Sequence, residues 1–199
     1  MARYARIIER LITEFGKLPG IGPRTAERLA FHLLRAPQQD AEALAAAIRD
    51  VKARIRPCKV CFNIAEGELC AVCADARRDR EVICVVEQPN DLLALESTGT
   101  YRGVYHVLTG HIAPLDGVEP EDLTIDALVA RVRAGGVREV LLATNPTVAG
   151  DGTALHIAAL LSPLGVKVTR LARGLPAGGQ IEYANKSILS DAISERREL

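Results

Sequence analysis

Two Cys-x-x-Cys pairs constrain the fold of this chain more than any other feature of its sequence. Cys58 and Cys61 form the first pair, Cys70 and Cys73 form the second, and eight residues separate the pairs. Each pair can sit on a tight turn with both thiolates directed at one metal, and two such turns give the tetrahedral sulfur site that zinc prefers. Disulfides and iron–sulfur clusters also use cysteine, but the near-identical pairs favour zinc. Because four thiolates leave no open position for a substrate, the pattern predicts one structural zinc ion per chain.

The composition favours a soluble protein with an aliphatic core. The chain has 199 residues, of which 48% are hydrophobic and 4% aromatic, and it contains no tryptophan. No apolar run approaches the roughly 20 residues of a membrane span, and residues 1–4 lack the apolar stretch of a signal peptide. Free thiols in a zinc site also suit a reducing compartment. We therefore expect a cytoplasmic protein with no membrane partner.

The charges are unevenly distributed although the formal net charge is zero. Residues 1–56 carry eleven Lys or Arg against six Asp or Glu, whereas residues 81–130 carry one basic side chain, Arg102, against nine acidic ones. The basic end could bind phosphate, and the acidic segment could bind a metal or a basic protein. Ordinary solvated surface is the alternative, but it explains less well a long segment with almost no positive charge.

The N-terminal segment has the pattern of two helices joined by a glycine-rich turn. The first helix is predicted over residues 7–15, and the second begins near Pro23, which fits a first-turn position. Gly20 and Gly22 in the turn allow positive φ and a close approach to bare backbone. Their amides, with the N-terminus of the second helix, would form a small positive site for a phosphate. A third, alanine-rich helix over residues 39–55 is predicted to be a strut or part of a subunit contact.

This turn resembles the helix-hairpin-helix motif, h-x-G-h-G-x-x-x-A, a family that binds the DNA backbone without reading its sequence. The matching positions are Gly20, Ile21, Gly22 and Ala26. Arg24 and Arg28 lie one helical turn apart, so they would flank the phosphate site on one face. We predict DNA contacts from these two side chains and from the two glycine amides, with Lys17 and Arg35 as weaker candidates. The alternative is a plain helical turn that contains glycines.

The middle of the chain alternates between short apolar runs and helical patterns. The apolar run at residues 82–86 ends in Glu87 and suits a strand buried on both faces of a parallel sheet. Further strands are predicted at 104–108, 140–143 and 166–171, with helices near 124–134 and 153–162 between them. This order predicts a parallel sheet with helices on its faces. Cys84, inside the first strand, is predicted to be a small core residue rather than a reactive thiol.

A carboxylate at the end of a parallel strand lies where α/β folds place their sites. This segment resembles a Toprim domain, in which a glutamate after the first strand and an Asp-x-Asp after a later strand hold magnesium against a phosphodiester. Glu87 fills the first place, but Thr144-Asn145-Pro146-Thr147 replaces the Asp-x-Asp. Because one glutamate with neutral neighbours would bind Mg²⁺ weakly, we predict that the fold is kept without catalysis. The predicted use of Glu87, Asp91 and Glu96 is then to bind a partner protein, and the alternative is a magnesium-dependent nuclease or topoisomerase that uses Glu87 and Asp151.

The C-terminal segment carries weaker signals. A helix is predicted to open around residues 150–155, with Asp151 or Thr153 as its N-cap. A glycine-rich turn follows at residues 174–179, and a last helix is predicted over residues 187–197. An equally good interpretation is that this segment is a plain loop and terminal helix with no functional role.

The complete order of motifs resembles the RecR family of bacterial recombination mediators, and the resemblance covers essentially all 199 residues. Its most specific pieces are L-P-G-I-G-P-R (18–24), the four cysteines, I-C-V-V-E (83–87), T-N-P-T (144–147) and G-L-P-A-G-G-Q-I-E-Y-A (174–184). Asn185 stands where the family commonly has aspartate after E-Y-A. The resemblance implies a non-enzymatic DNA clamp, a dimer of dimers, that binds double- and single-stranded DNA. It also implies that the clamp, together with RecO or RecF, helps load RecA onto single strands coated with SSB.

We therefore expect an α+β fold of several modules. The parts are a helix-hairpin-helix region (1–56), a four-cysteine zinc motif (57–77), an α/β Toprim domain with a parallel sheet (78–172) and a C-terminal glycine-rich turn and helix (173–199). The zinc ion would stabilise a short connector in which few residues are left to build a core.

Overall fold

Helices form the N-terminal part of the chain, and a parallel sheet with helices on both faces forms the rest. The computed structural model describes residues 4–196. The helices are α1 Arg6–Gly16, α2 Pro23–Arg35, α3 Gln38–Arg54, α4 Ala71–Ala74, α5 Pro89–Ser97, α6 Ile125–Arg133, α7 Val148–Leu161 and α8 Lys186–Ser194. The strands are β1 Arg56–Pro57, β2 Ile64–Ala65, β3 Asp79–Val86, β4 Gly103–Val107, β5 Glu139–Leu142 and β6 Lys167–Arg170. Within residues 4–196, no helix is both long and apolar enough to cross a membrane.

The chain divides into two units, Met1–Ile55 and Arg56–Leu199. In the first unit, α1 packs against α2. Ala26 and Ala30 on α2 are almost completely buried, because small side chains let the two helices approach closely. The ring of Tyr4 packs edge-on against Phe31, with centroids 5.2 Å apart. The predicted helices at 7–15 and 39–55 are confirmed within one or two residues at each end.

The second unit is built on four parallel strands in the order β4-β3-β5-β6. Alternate side chains of the central strand β3 enter two separate cores, as the two-residue period of a strand requires. Ile83 and Val85 point into a core covered by α6 and α7. Cys84 and Val86 point into a second core, which is covered by α5 and by the segment that carries the cysteine pairs. The parallel sheet and the buried position of Cys84 are confirmed, and burial raises the pKa of the Cys84 thiol to about 12.

The cysteine segment covers the open edge of this sheet. β1 pairs with β2 in a small antiparallel hairpin, and the amide of Val107 on edge strand β4 donates to the Cys61 carbonyl oxygen over 2.8 Å. The Arg131 guanidinium on α6 donates to the Tyr105 carbonyl oxygen of the same strand, also over 2.8 Å. Polar groups of an edge strand are costly if left unpaired and invite pairing with another chain. The segment is thus built into the core of the second unit, whereas the sequence suggested a connector with little core of its own.

The structure corrects the predicted N-cap of α7 and gives the start of α8. α7 begins at Val148, and its N-cap is Thr147, whose hydroxyl accepts from the Gly150 amide at 3.0 Å. The prediction of Asp151 or Thr153 as the cap is therefore wrong. α8 begins at Lys186 with Asn185 as its N-cap, and Arg197, the predicted end of that helix, lies outside the described residues.

Candidate metal centre and nucleic-acid interface

The four cysteines meet at one point beside the sheet. Their sulfur atoms all lie within 4.8 Å of one another, and their exposed fractions are between 0% and 5%. A tetrahedral zinc site with Zn–S bonds of about 2.3 Å places its sulfurs ~3.8 Å apart, and the Cys61 and Cys70 sulfurs are 3.5 Å apart. The donor set, the spacing and the burial fit a closed zinc site. Within residues 4–196, no other group of three or more His, Cys, Asp or Glu side chains is close enough to hold an ion.

Local backbone bonds shape the two turns that present the thiolates. In the first, the Cys58 amide donates to the Asn63 carbonyl at 2.7 Å and the Phe62 amide donates back to the Cys58 carbonyl at 3.0 Å. Phe62 takes a φ of 62°, the left-handed conformation that lets the turn close. The second turn runs directly into α4, where the Ala74 amide donates to the Cys70 carbonyl at 3.0 Å.

The thiols of the site influence one another. Hydrogen bonding to Cys61 lowers the pKa of Cys73, while the same contact and burial raise the pKa of Cys61. Because zinc binds thiolates, metal binding releases protons and depends on pH.

The glycine-rich turn of the first unit is open to solvent at its backbone. Gly20 has a φ of +78°, whereas Gly22 is extended and serves as the N-cap of α2. The positive φ that glycine allows is therefore adopted at Gly20 and not at Gly22. A Cβ built on either glycine would meet nothing within 4 Å, and no side chain caps the first turn of α2. Because the first amides of a helix need acceptors, this helix start can bind an anion.

Exposed arginines lie beside this turn on α2. Arg24 and Arg28 are exposed, and no carboxylate of residues 4–196 lies within ion-pairing distance of either. Lys17 instead forms an ion pair with Glu14 at 2.8 Å, which makes it a poorer donor to a ligand. The predicted contact from Arg35, exposed at the end of the same helix, stays a prediction, as do the other DNA contacts.

Glu87 lies at the carboxyl edge of the sheet but is not open to solvent. Its side chain is buried, with 3% exposed. Its carboxylate accepts from the Asn145 backbone amide at 2.7 Å and from the Asn145 side-chain amide at 2.9 Å. His111 Nδ1 lies 3.1 Å from Glu87 Oε2, the oxygen that also accepts from the Asn145 side chain. Sequence reasoning missed both partners of Glu87, although the T-N-P-T segment (144–147) marked the right place after β5.

Asp91 and Glu96, the other predicted partner-binding carboxylates, also have bonds within the chain. Asp91 accepts from the Gln88 amide at 2.8 Å and completes the capping box of α5. Glu96 pairs with Arg78 and accepts from the Tyr105 hydroxyl at 2.8 Å. The Arg78 guanidinium lowers the pKa of Glu96. These carboxylates therefore do not form one freely exposed acidic surface, and their role in binding a partner stays a prediction.

Asp151, the second carboxylate of the enzymatic alternative, is bound by arginines. Arg170 Nη2 lies 3.0 Å and Arg173 Nη1 lies 2.9 Å from its two oxygens. The Arg173 guanidinium holds the pKa of Asp151 below its ordinary value. A carboxylate paired in this way offers less to a magnesium ion than a free one.

Comparison with known proteins matches each of these regions separately. Residues 8–52 match the family described as RecR, helix-hairpin-helix. Residues 55–75 match the four-cysteine zinc finger domain of RecR, and residues 81–172 match the Toprim domain. The zinc finger match and the four-sulfur geometry together assign one structural zinc ion to the chain.

Full-length relatives carry the same order of regions under one name. Recombination protein RecR of Rubrobacter xylanophilus is 58% identical over 199 residues, covering all of both chains. Its counterpart in Rhodopirellula baltica is 53% identical, again over the full length of both. That of Chloroflexus aurantiacus is 59% identical over 192 residues, covering 96% of this chain and 94% of the relative. At this identity and coverage, the chain belongs to the RecR family of recombination proteins.

Proposed function

We propose that this protein is a DNA-binding recombination mediator that acts without catalysing a reaction. The observation that carries the proposal is the open turn of the first unit. In the part of the chain that the structure describes, unshielded glycine backbone, an uncapped helix start and two exposed arginines without carboxylate partners lie together there. Each of these groups binds phosphate without reading bases, so the protein would bind double- and single-stranded DNA regardless of sequence.

The absence of catalysis is supported by what surrounds the two Toprim-edge carboxylates. Glu87 accepts hydrogen bonds from Asn145 and lies against His111, and Asp151 is bound by Arg170 and Arg173. Phosphoryl chemistry with Mg²⁺ needs several carboxylates free to bind the ion. We propose that a partner protein binds the second unit at Glu87, Asp91 and Glu96, of which Glu87 and Asp91 lie near this edge of the sheet and Glu96 lies beside Arg78, before the start of β3. RecO or RecF is the partner that the family suggests, with RecA loading on SSB-coated single strands as the outcome, in the cytoplasm.

We propose that the active form is a homo-oligomer, a dimer of dimers that surrounds DNA. An apolar groove of about 660 Å³ runs between α1, α2 and α3, all in the first unit. Ile7 is 85%, Leu34 60% and Ile48 57% exposed along it, and exposed apolar surface of this kind marks a protein contact. A second copy would cover the groove, and several weak DNA sites in one oligomer would bind with raised avidity.

The test of DNA binding removes two charges from α2. Arg24→Ala with Arg28→Ala should weaken binding at least about tenfold and flatten the dependence of log affinity on log salt, since each lost phosphate contact removes ~0.7–0.9 from the slope. The matched control is Arg49→Ala with Lys52→Ala, which removes the same charge from exposed positions on α3. Binding is measured by fluorescence anisotropy on single- and double-stranded oligonucleotides, with zinc content and solution mass checked for every variant.

Two outcomes would overturn the proposal. The first is equal loss of binding in the control and the α2 variant, because general charge rather than the turn would then explain binding. The second is Mg²⁺-dependent nicking or relaxation of plasmid DNA that disappears in Glu87→Gln, which would support the nuclease or topoisomerase alternative.

A further inference from the structure

Arg131 is half-buried, and its guanidinium has no carboxylate partner among the described residues. It lies on α6 and donates to the Tyr105 carbonyl oxygen of edge strand β4 at 2.8 Å. Among residues 4–196, no Asp or Glu oxygen lies within 4.0 Å of its nitrogens, since it forms none of the ion pairs found there. A charge withdrawn from water is costly unless an opposite charge compensates it. A carbonyl oxygen supplies a hydrogen bond but not that charge.

The cysteine site supplies the negative groups that act most strongly on Arg131. Arg131 and Cys73 line the same small cavity of about 190 Å³ beside β4. Arg80 lines it too, and its Nη2 donates to the Cys73 carbonyl oxygen over 3.3 Å. Four thiolates around one Zn²⁺ carry a net formal charge of two minus, and that charge sits on the sulfur atoms. A guanidinium beside a four-thiolate zinc centre therefore compensates the negative charge of that centre, and the centre compensates the positive charge of the guanidinium.

We propose that Arg131 is the counter-cation of the zinc centre, a positioning residue whose charge raises zinc affinity and couples the metal to α6 and edge strand β4. Groups outside the ligand shell commonly set the strength of a metal site in this way. The proposal goes beyond DNA binding and does not depend on it.

The electrostatics of the region agree with this arrangement. Burial lowers the pKa of Arg131, and the thiolates of Cys73, Cys61 and Cys58 act in the opposite direction and favour its charged form. His106, also buried on β4, has its pKa lowered to about 4 by burial and so adds no competing positive charge at neutral pH.

Two roles of Arg131 can be told apart. As a hydrogen-bond donor to the Tyr105 carbonyl oxygen, it serves edge strand β4 whether or not zinc is bound. As a counter-cation, it acts on the zinc centre through its charge, so zinc affinity should follow the charge at position 131 and not the hydrogen bond.

The experiment separates charge from hydrogen bonding with three variants of the full-length protein. Arg131→Gln removes the charge and keeps an amide donor, Arg131→Lys keeps the charge, and Arg133→Gln removes an exposed charge from the same helix as a control. Zinc affinity is measured by competition with a metallochromic chelator. We expect the glutamine variant to lose about 10- to 100-fold in affinity, with the lysine variant and the control close to the unsubstituted protein.

A second variant keeps the proposal testable if the glutamine variant folds poorly with zinc. Arg131→Met then takes its place, because it also removes the charge and keeps a long side chain. Unchanged zinc affinity in Arg131→Gln or Arg131→Met would overturn the proposal, as would an equal loss in Arg131→Lys.

Discussion

The cysteine site and the carboxyl edge of the sheet both gather residues that commonly bind metals, but they treat them oppositely. The four cysteine sulfurs face one another at close range, and charged or donor groups such as Arg131 and Arg80 lie outside them. At the sheet edge, the Glu87 carboxylate is enclosed by amides and an imidazole of the chain itself. The cysteine site needs an ion to hold its four sulfurs together, whereas the Glu87 carboxylate has its hydrogen-bond partners within the chain. Whether residues of a metal-binding type form a metal site therefore depends on what compensates their charge. At the cysteines it is an ion, and at Glu87 it is groups of the chain itself.

Zinc removal should give the largest effect, because the metal centre lies in the core of the second unit. Cys58→Ser or Cys70→Ser should lose zinc and destabilise the protein by several kcal/mol, given that structural zinc sites contribute roughly 10–16 kcal/mol of binding free energy in small peptides. Thermal unfolding and zinc content measure this. DNA binding should fall only as a consequence of unfolding.

The control for zinc removal is Cys84→Ala, at the buried cysteine that is not a ligand. It should keep its zinc and lose only about 1 kcal/mol, as expected for a small cavity. Normal thermal stability in a zinc-free Cys58→Ser protein would contradict a structural role for the metal.

How far the sequence predicts these two regions differs for a physical reason. The cysteine site follows from spacing, because each Cys-x-x-Cys turn is local and two such turns suffice for one ion. Helices and strands likewise follow from apolar periodicity within a few residues. The bonds of Glu87 come from residues 24 and 58 positions away, and no local pattern reports such contacts. For the same reason, the cover that the cysteine segment gives to edge strand β4 became visible only in the fold.

The start of α7 shows a different limit. In the sequence, Thr147 falls in the segment that follows the predicted strand at 140–143. By residue type alone, Asp151 and Thr153 are equally good N-caps. The choice depends on where β5 ends and on Gly150, which leaves room for the chain to turn against Asn145 and Glu87.

Gly150 offers a test of how tightly the sheet edge encloses its carboxylate. A Cβ at this position would lie against the Asn145 carbonyl oxygen, closer than real contacts allow, and 2.7 Å from Glu87 Oε1. Gly150→Ala should therefore cost about 1–3 kcal/mol, in the range of overpacked cores. The matched control is Gly152→Ala, two residues along α7, where a Cβ meets nothing within 4 Å.

Gly152→Ala should stabilise the protein by up to about 1 kcal/mol through its helix propensity. Urea denaturation of the two variants measures the difference directly. Equal stabilities would mean that the edge yields easily and that Glu87 is not held in a fixed position.

The smallest expected effect comes from converting the carboxyl edge of the sheet into a metal-binding site. Asn145→Asp with Thr147→Asp restores an Asp-x-Asp after β5 and replaces the side-chain amide donor to Glu87 by a second carboxylate. Thr147 can be exchanged because aspartate also caps helices well. Without metal, the repulsion between carboxylates should lower stability by about 1 kcal/mol, and Mg²⁺ at ten times its Kd should restore ~1.4 kcal/mol, or about 3–6 °C in Tm.

The unsubstituted protein is the reference for this last comparison, since its Tm should not respond to Mg²⁺. The decisive measurement is thermal unfolding of both proteins across a Mg²⁺ titration at constant ionic strength. A rise in the Tm of the unsubstituted protein that disappears in Glu87→Gln would mean that the native edge binds the ion through Glu87. The contrast between the two regions would then lie in affinity rather than in kind, because amide and imidazole partners would have weakened a metal site without abolishing it.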